Sequence, residues 1–346
     1  MQRYRPRRGE GSRMSVFVLA LFLSSCGVEE QTGLSNVLSG QTMGTTYAIK
    51  IRGVSKSFDL QHVRKRIDEI FERINSRMST YREDSELSFF NRSESTDWMP
   101  VSSETVHVVS EAVRVSMLTN GAFDVTIGPL VNLWGFGPDS QPTKIPTEET
   151  IREKLASVGY QHLHLRATPP AIRKDESRIQ IDLSAIAKGY AVDQVVEFLD
   201  SLNVPHFLVE VGGELRGKGL NADGIPWKVA IEKPVSDERA IHQVLNLQSQ
   251  AMATSGDYRN FFQKDGERFS HTINPRTGQP VTHQLASVTV LRTSCMEADA
   301  LATGLMVLGP DAGLKLARQQ KFPAFFLSRT KRGFEETMTP ELDSYL

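Results

Sequence analysis

The chain has 346 residues, with 40 Lys and Arg against 41 Asp and Glu and a net charge of −1. It is 39% hydrophobic and 23% charged, ordinary globular usage, so a sizeable core is available and global disorder is excluded. The balanced charge offers no field for a polyanion, which argues against a nucleic-acid partner.

The first element reads as a secretion signal. Arg3, Arg5, Arg7, Arg8 and Arg13 precede the apolar run Val16–Leu23, and Ser24, Ser25 and Cys26 follow it. The run is far shorter than the ~20 residues of a membrane-spanning helix. Its Leu-Ser-Ser-Cys ending resembles a bacterial lipobox, where cleavage precedes a cysteine that becomes lipidated. An ordinary signal with an unrelated cysteine is the alternative, and a start at Met14 would leave the run without its basic flank. Residues 1–25 are expected as a lipoprotein signal peptide and 26–40, polar and small, as a lipid anchor and tether. Residues 41–346 are expected as one folded body. With Cys26 lipidated, Cys295 has no disulfide partner and reads as a small core residue.

Helices and strands then alternate. Leu60, Val63, Ile67, Ile70, Phe71, Ile74 and Met78 follow helical spacing and predict an amphipathic helix over 58–78. Val106, Val109, Val113 and Met117 mark a second, closed by Asn120-Gly121. Ile151, Leu155 and Val158 mark a third. Ile186, Tyr190, Val195, Leu199 and Leu202 mark a fourth, with Asp182 and Ser184 as possible caps. A fifth is expected over 297–308, stopped by Gly309-Pro310, and a sixth over 311–320. Strands are expected at Tyr47–Ile51, Ile179–Leu183, Phe207–Val211, Trp227–Ile231, Phe269–Ile273, Ser287–Leu291 and Ala324–Leu327. Several follow one another without a helix between, so an α+β architecture with largely antiparallel sheet fits better than a doubly wound parallel one.

The usual chemical signatures are absent: no complete phosphate-binding Gly-x-x-x-x-Gly-Lys-Ser/Thr, no Gly-x-Gly-x-x-Gly after a strand, no Gly-x-Ser-x-Gly, no His-Glu-x-x-His and no Cys-x-x-Cys. What remains is a set of polar, turn-rich segments. Asp299 and Thr303 are four apart on one helix face, which suits a hard cation such as Mg²⁺, although spacing alone favours a helix-start cap with Thr303 packed inside. Asp182, Ser184 and Lys188 can present a carboxylate, a hydroxyl and an ammonium together, or serve equally as a cap and a solvated lysine. His271, on a predicted strand, can act as a general base or be structural. Tyr81, just past the first helix, can stack on a purine or close a core edge. Val211-Gly212-Gly213-Glu214, after a strand, can let backbone approach a ligand, but a plain glycine turn is the stronger reading.

Jointly, GAFDVTIGPLVNLWGFG, DLSAIAKGYAVD, TSGDYRN, HTINPRTG and EADALATGLMVLG resemble the ApbE family of FAD:protein FMN transferases, in order from Met43 to Thr303. The resemblance implies a T-fold-like α+β fold with 41–346 as the catalytic domain. It implies a Mg²⁺-dependent transfer of FMN from FAD, through a phosphoester, to a Ser or Thr of an acceptor flavoprotein subunit of a membrane electron-transport complex, with release of AMP. It implies FAD contacts from Met43, Tyr81, Ala122, Phe123, Asp124, Asp182, Lys188 and Ile273. It implies a metal held by Asp299, Thr303 and main-chain oxygens of Ala185 and Ala302, and His271 as the base. Asn274 stands where many members carry Asp. The family also implies a lipid-anchored location on the periplasmic side of the inner membrane. An FAD pyrophosphatase and a non-enzymatic flavin-binding lipoprotein are the rival readings.

Overall fold

The computed structural model describes residues 35–138, 145–234, 240–258, 261–264 and 266–346. The predicted signal and Cys26 lie outside the described residues. The chain opens with the hairpin β1 (Asn36–Thr42) and β2 (Thr45–Arg52), then α1 (Leu60–Met78), α2 (Glu86–Arg92), β3 (Met99–Pro100) and α3 (Ser103–Leu118). Next come α4 (Gly128–Leu133), α5 (Glu148–Leu155), β4 (Leu163–Ala167), β5 (Pro170–Lys174) and α6 (Ala187–Ser201). The second half holds β6 (His206–Val211), β7 (Glu214–Lys218), β8 (Trp227–Glu232), β9 (Ile241–Leu247), β10 (Ala251–Gly256), β11 (Phe261–Lys264) and β12 (Glu267–Ser270). It ends with β13 (Leu285–Arg292), α7 (Cys295–Gln319), β14 (Ala324–Thr330) and β15 (Gly333–Met338).

One sheet dominates, in the order β1-β2-β6-β7-β10-β13-β14-β15, with its strands paired antiparallel. The fold is α+β, as its sequence pattern predicts. Period-two alternation sends successive residues of each central strand to opposite faces. Phe207, Val209 and Val211 of β6, Val288 and Val290 of β13, and Phe326 of β14 join the main core beneath α1, α3, α6 and α7. Their neighbours Leu208, Leu291, Phe325 and Leu327 join a second core, closed by the β8–β9 hairpin and the C-terminal Leu342. A third cluster, Leu130, Trp134, Ile151 and Ile273, supports the loop after β12.

The structure corrects several expectations. β1 begins at Asn36, inside the stretch read as a tether, because its alternating buried residues pair with β2. Ile179–Leu183 is no strand but an irregular segment. Ile186, not Asp182 or Ser184, stands at the N-cap of α6, without a side-chain cap. β12 stops at Ser270, so His271 lies in the bend beyond the strand and Ile273 makes only an isolated bridge to Pro280. The predicted break between the last two helices is real: Gly309 interrupts α7 at φ 81°, with Pro310 opening its second half.

Candidate active site

The site is built on the crossing of α6 and α7. Gly189 of α6 touches the first turn of α7 so closely that a Cβ would lie 2.3 Å from the Cys295 carbonyl oxygen. One turn further along α6, Asp193 caps α7 from outside. Its carboxylate accepts hydrogen bonds from Ser294 Oγ (2.7 Å), Cys295 N (3.0 Å) and Met296 N (3.0 Å), and from Arg216 Nη1 (2.7 Å). Ser294 is the N-cap itself, accepting from Glu297 N. Asp299 therefore does not cap the helix start. It sits a turn inside, 3% exposed, and accepts from Gly189 N at 3.1 Å.

Lys188 stands over this crossing. Its Nζ donates to the Ser184 carbonyl (3.1 Å) and faces Glu214 Oε2 at 3.6 Å and Asp299 Oδ2 at 3.7 Å. Burial opposes the ammonium charge, but Asp299 and Glu214 outweigh it and hold the Lys188 pKa above its ordinary value. Burial lifts the Glu214 carboxyl to about 8, with Lys188 pulling it down and Asp299 pushing it further up. Asp299 is also raised by burial, against the opposing pull of Lys188 and the Gly189 amide. Glu214 Oε2 is buried and, among the described residues, has no hydrogen-bond partner. Behind Asp299, Thr303 Oγ1 lies 2.9 Å from Ser255 Oγ of β10.

These groups belong to one cleft of about 870 Å³, within the size range of small-molecule sites. Tyr81, Ala122, Phe123, Asp124, Asp182, Ala185, Lys188, His271, Ile273, Asp299 and Thr303 all line it. Eleven residues singled out from sequence, spread from Tyr81 to Thr303, thus converge. Met43 is not among the lining residues; it occupies the β1–β2 turn at φ 50° and packs against the main core. Ala302 is fully buried and can contribute only through its main chain. Asp124 lines the cleft, yet its carboxylate is engaged with Thr126 N (2.8 Å), Thr126 Oγ1 (2.6 Å) and Tyr160 N (2.9 Å), so it braces the wall. Burial raises its pKa.

At the rim, Tyr81 is 68% exposed and its hydroxyl donates to the Phe136 carbonyl at 3.4 Å. Partial desolvation of its hydroxyl end, and the nearby Asp182 carboxylate, raise the Tyr81 pKa although most of the side chain is exposed. His271 meets the Phe136 ring edge-on, centroids 6.2 Å apart. Phe136 in turn packs on Phe262, which stacks on Phe269, which stacks on Trp134. Trp134 Nε1 donates to the Gly278 carbonyl at 2.7 Å, tying this aromatic stack to the loop after His271. Sequence reasoning passed over Glu214, whose only signal was the Gly-Gly pair before it. It also passed over Ser255 as a partner of Thr303.

Among the described residues, no three His, Cys, Asp or Glu side chains are grouped to hold a metal.

The model of the ApbE family matches residues 43–326. The chain belongs to the ApbE family. An FAD:protein FMN transferase from Vibrio cholerae serotype O1 is 47% identical over 309 residues, covering 89% of this chain and 92% of the relative. The enzyme of that name from Escherichia coli K12 is 37% identical over 342 residues, covering 97% of each. The solved flavin transferase ApbE from Vibrio cholerae superimposes with a TM-score of 0.84 at 45% identity, covering 90% of this chain and 99% of its own. An ApbE protein from Thermotoga maritima keeps a TM-score of 0.82 at 28% identity, covering 90% and 99%.

Proposed function

We propose that this ApbE-family chain splits FAD and transfers its FMN half to a Ser or Thr hydroxyl of an acceptor protein, releasing AMP. The observation that carries the reading is the buried Lys188–Asp299–Glu214 cluster, set in a cleft that also holds Tyr81 and His271. A pyrophosphate is stabilised by positive charge, which Lys188 together with a cation held on the carboxylate side would supply; an aromatic ring suits the adenine, and the attacking hydroxyl needs a base.

The donor set fits a hard divalent cation. It offers only oxygens, and Glu214 brings to the same place a buried oxygen without a hydrogen-bond partner among the described residues. Asp299 and Thr303, with the main-chain oxygens of Ala185 and Ala302, would hold Mg²⁺. Bound there, the ion would neutralise charge developing on the pyrophosphate.

The chain's own residues supply the rest. Lys188 places its ammonium beside the phosphates, held in the charged form by Asp299 and Glu214. Tyr81 offers its ring to the adenine, and Ala122, Phe123 and Ile273 offer apolar surface to the flavin. His271 takes the proton of the acceptor hydroxyl. The hydroxyl oxygen bonds to the FMN-side phosphorus, and the bond from that phosphorus to the bridging oxygen breaks, its electron pair leaving with AMP.

The test combines purified protein, FAD, Mg²⁺ and a flavin-free periplasmic subunit of a flavin-dependent membrane electron-transport complex. A fluorescent acceptor band after denaturation, with matching AMP, is expected. AMP and free FMN without a labelled band would support FAD hydrolysis instead. Intact FAD throughout would leave only flavin binding. We propose in addition that the enzyme sits on the periplasmic side of the inner membrane, held by lipid on Cys26. Its support is the signal-like N-terminus. Cys26→Ala should release the protein from the membrane fraction, and unchanged membrane association would reject the anchor.

A further inference from the structure

Ile179–Leu183 alternates like a strand and is buried like one: Ile179 and Leu183 are 1% exposed and Ile181 is 0%. Buried backbone groups need partners, and among the described residues this segment belongs to none of the sheets. Side chains from α2 and β5 do so instead. Asn91 Nδ2 donates to the Ile181 carbonyl at 2.8 Å, while Ile181 N donates to Asn91 Oδ1 at 2.7 Å. Asn91 thus gives Ile181 the paired bonds of a neighbouring strand. Lys174 Nζ donates to the Ile179 carbonyl (3.0 Å) and the Phe90 carbonyl (3.2 Å), fastening the segment to α2. A third point is Asp182 N, which donates to the Val125 carbonyl at 2.7 Å.

The order of these contacts matters. A slip of one residue in an alternating segment exchanges its two faces. Here it would turn Asp182 inward and Ile181 outward. From Asp182 the connection continues into the cleft. Its carboxylate accepts from Ser184 N (2.8 Å) and Ser184 Oγ (2.5 Å), and the Ser184 carbonyl accepts from Lys188 Nζ. Asp182, Ser184, Ala185 and Lys188 line the cleft, whereas Asn91 and Lys174 do not.

We infer that Asn91 and Lys174 are positioning residues that set the register of residues 179–185, and so the FAD affinity of the cleft. The inference rests on the functional reading above. A sheet strand would offer its carbonyls to neighbouring strands. A side-chain clamp at Ile179 and Ile181 fixes the segment while leaving the chain after Asp182 to turn toward the ligand.

The test uses the full chain with Asn91→Ala, Lys174→Met and a control, Val63→Ala, which loses core packing in α1 at a residue that does not line the cleft. FAD affinity is measured directly by calorimetry, alongside KM for FAD, kcat and thermal stability. Asn91→Ala and Lys174→Met are each expected to weaken FAD binding about tenfold, the worth of two net hydrogen bonds. The kcat should stay within about threefold, and the control should bind FAD normally at equal or greater loss of stability. Asn91→Asp keeps the acceptor for Ile181 N and the size of the side chain. It guards against a folding failure and is expected to weaken FAD binding severalfold. FAD affinity unchanged in the clamp variants, or weakened equally in the control, overturns the inference. A wild-type chain that binds no FAD overturns the functional reading itself.

Discussion

Asp299 is held by the Gly189 amide at 3.1 Å and faces Lys188 at 3.7 Å, at 3% exposure. Truncating it removes the side-chain carboxylate from the proposed cation site but leaves Lys188 the partner Glu214. Asp299→Ala is therefore expected to lower transfer by about a hundredfold or more, while the folded state persists. Full transfer at ordinary Mg²⁺ would reject its role as a metal ligand. Lys174 makes a different kind of prediction. Burial pushes its ammonium down to about 8, from an ordinary value of 10.5. Between these values the unfolded chain holds a proton that the folded chain has released, so this group's contribution makes stability rise with pH across that window. In denaturant titrations from pH 7.5 to 10.5, the wild type should gain up to about 3 kcal/mol relative to Lys174→Met. A constant difference would mean the lysine titrates normally. At this scale, four-residue spacing puts Asp299 and Thr303 on one helix face, but spacing alone reads as a cap with a packed threonine; it is the joint pattern of motifs that singles the pair out. Glu214 is not singled out, because two preceding glycines have a sufficient explanation as a turn, and nothing local tells that the turn delivers a carboxylate to Lys188.

The α6–α7 crossing governs the site at the level of elements. Two helices can approach this closely only where one lacks a side chain, and Gly189 is that place. Gly189→Ala would drive a methyl into the Cys295 carbonyl, push α7 away and lengthen the bond from Gly189 N to Asp299. A loss of about 1–3 kcal/mol in stability is expected, with weakened FAD binding beyond what stability explains. A variant with wild-type melting and affinity would show that the crossing has slack. Long helices such as α1 are legible because many turns repeat one apolar stripe. α2 is only seven residues long and leaves no such record. Ile179–Leu183 misleads for a physical reason: burial on alternate sides creates a strand-like pattern, whether the hydrogen-bond partners come from a strand or from Asn91 and Lys174. His271 falls just beyond its strand: among the described residues β12 pairs with β11, and its last strand residue is Ser270, opposite Phe261.

Across the whole molecule, the cleft joins parts that the chain makes far apart. Its lining runs from Tyr81, after α1, to Val307, in α7, and includes Ala230 and Glu232 of the β8–β9 hairpin. The main core, the second core and the aromatic stack beside His271 therefore meet around the same space. A ligand bridging these parts binds the folded chain and not the unfolded one, so it must stabilise the fold by mass action. At a hundredfold excess over Kd the gain is about 2.7 kcal/mol, a shift of several degrees in melting temperature. FAD with Mg²⁺ is expected to produce that shift in wild type, and FAD with a chelator a smaller one. In Asp299→Ala the two conditions should give the same shift, because the metal contribution is gone while the aromatic and Lys188 contacts remain. Equal shifts with and without Mg²⁺ in the wild type would separate FAD binding from the cation and leave Asp299 serving only the α6–α7 crossing.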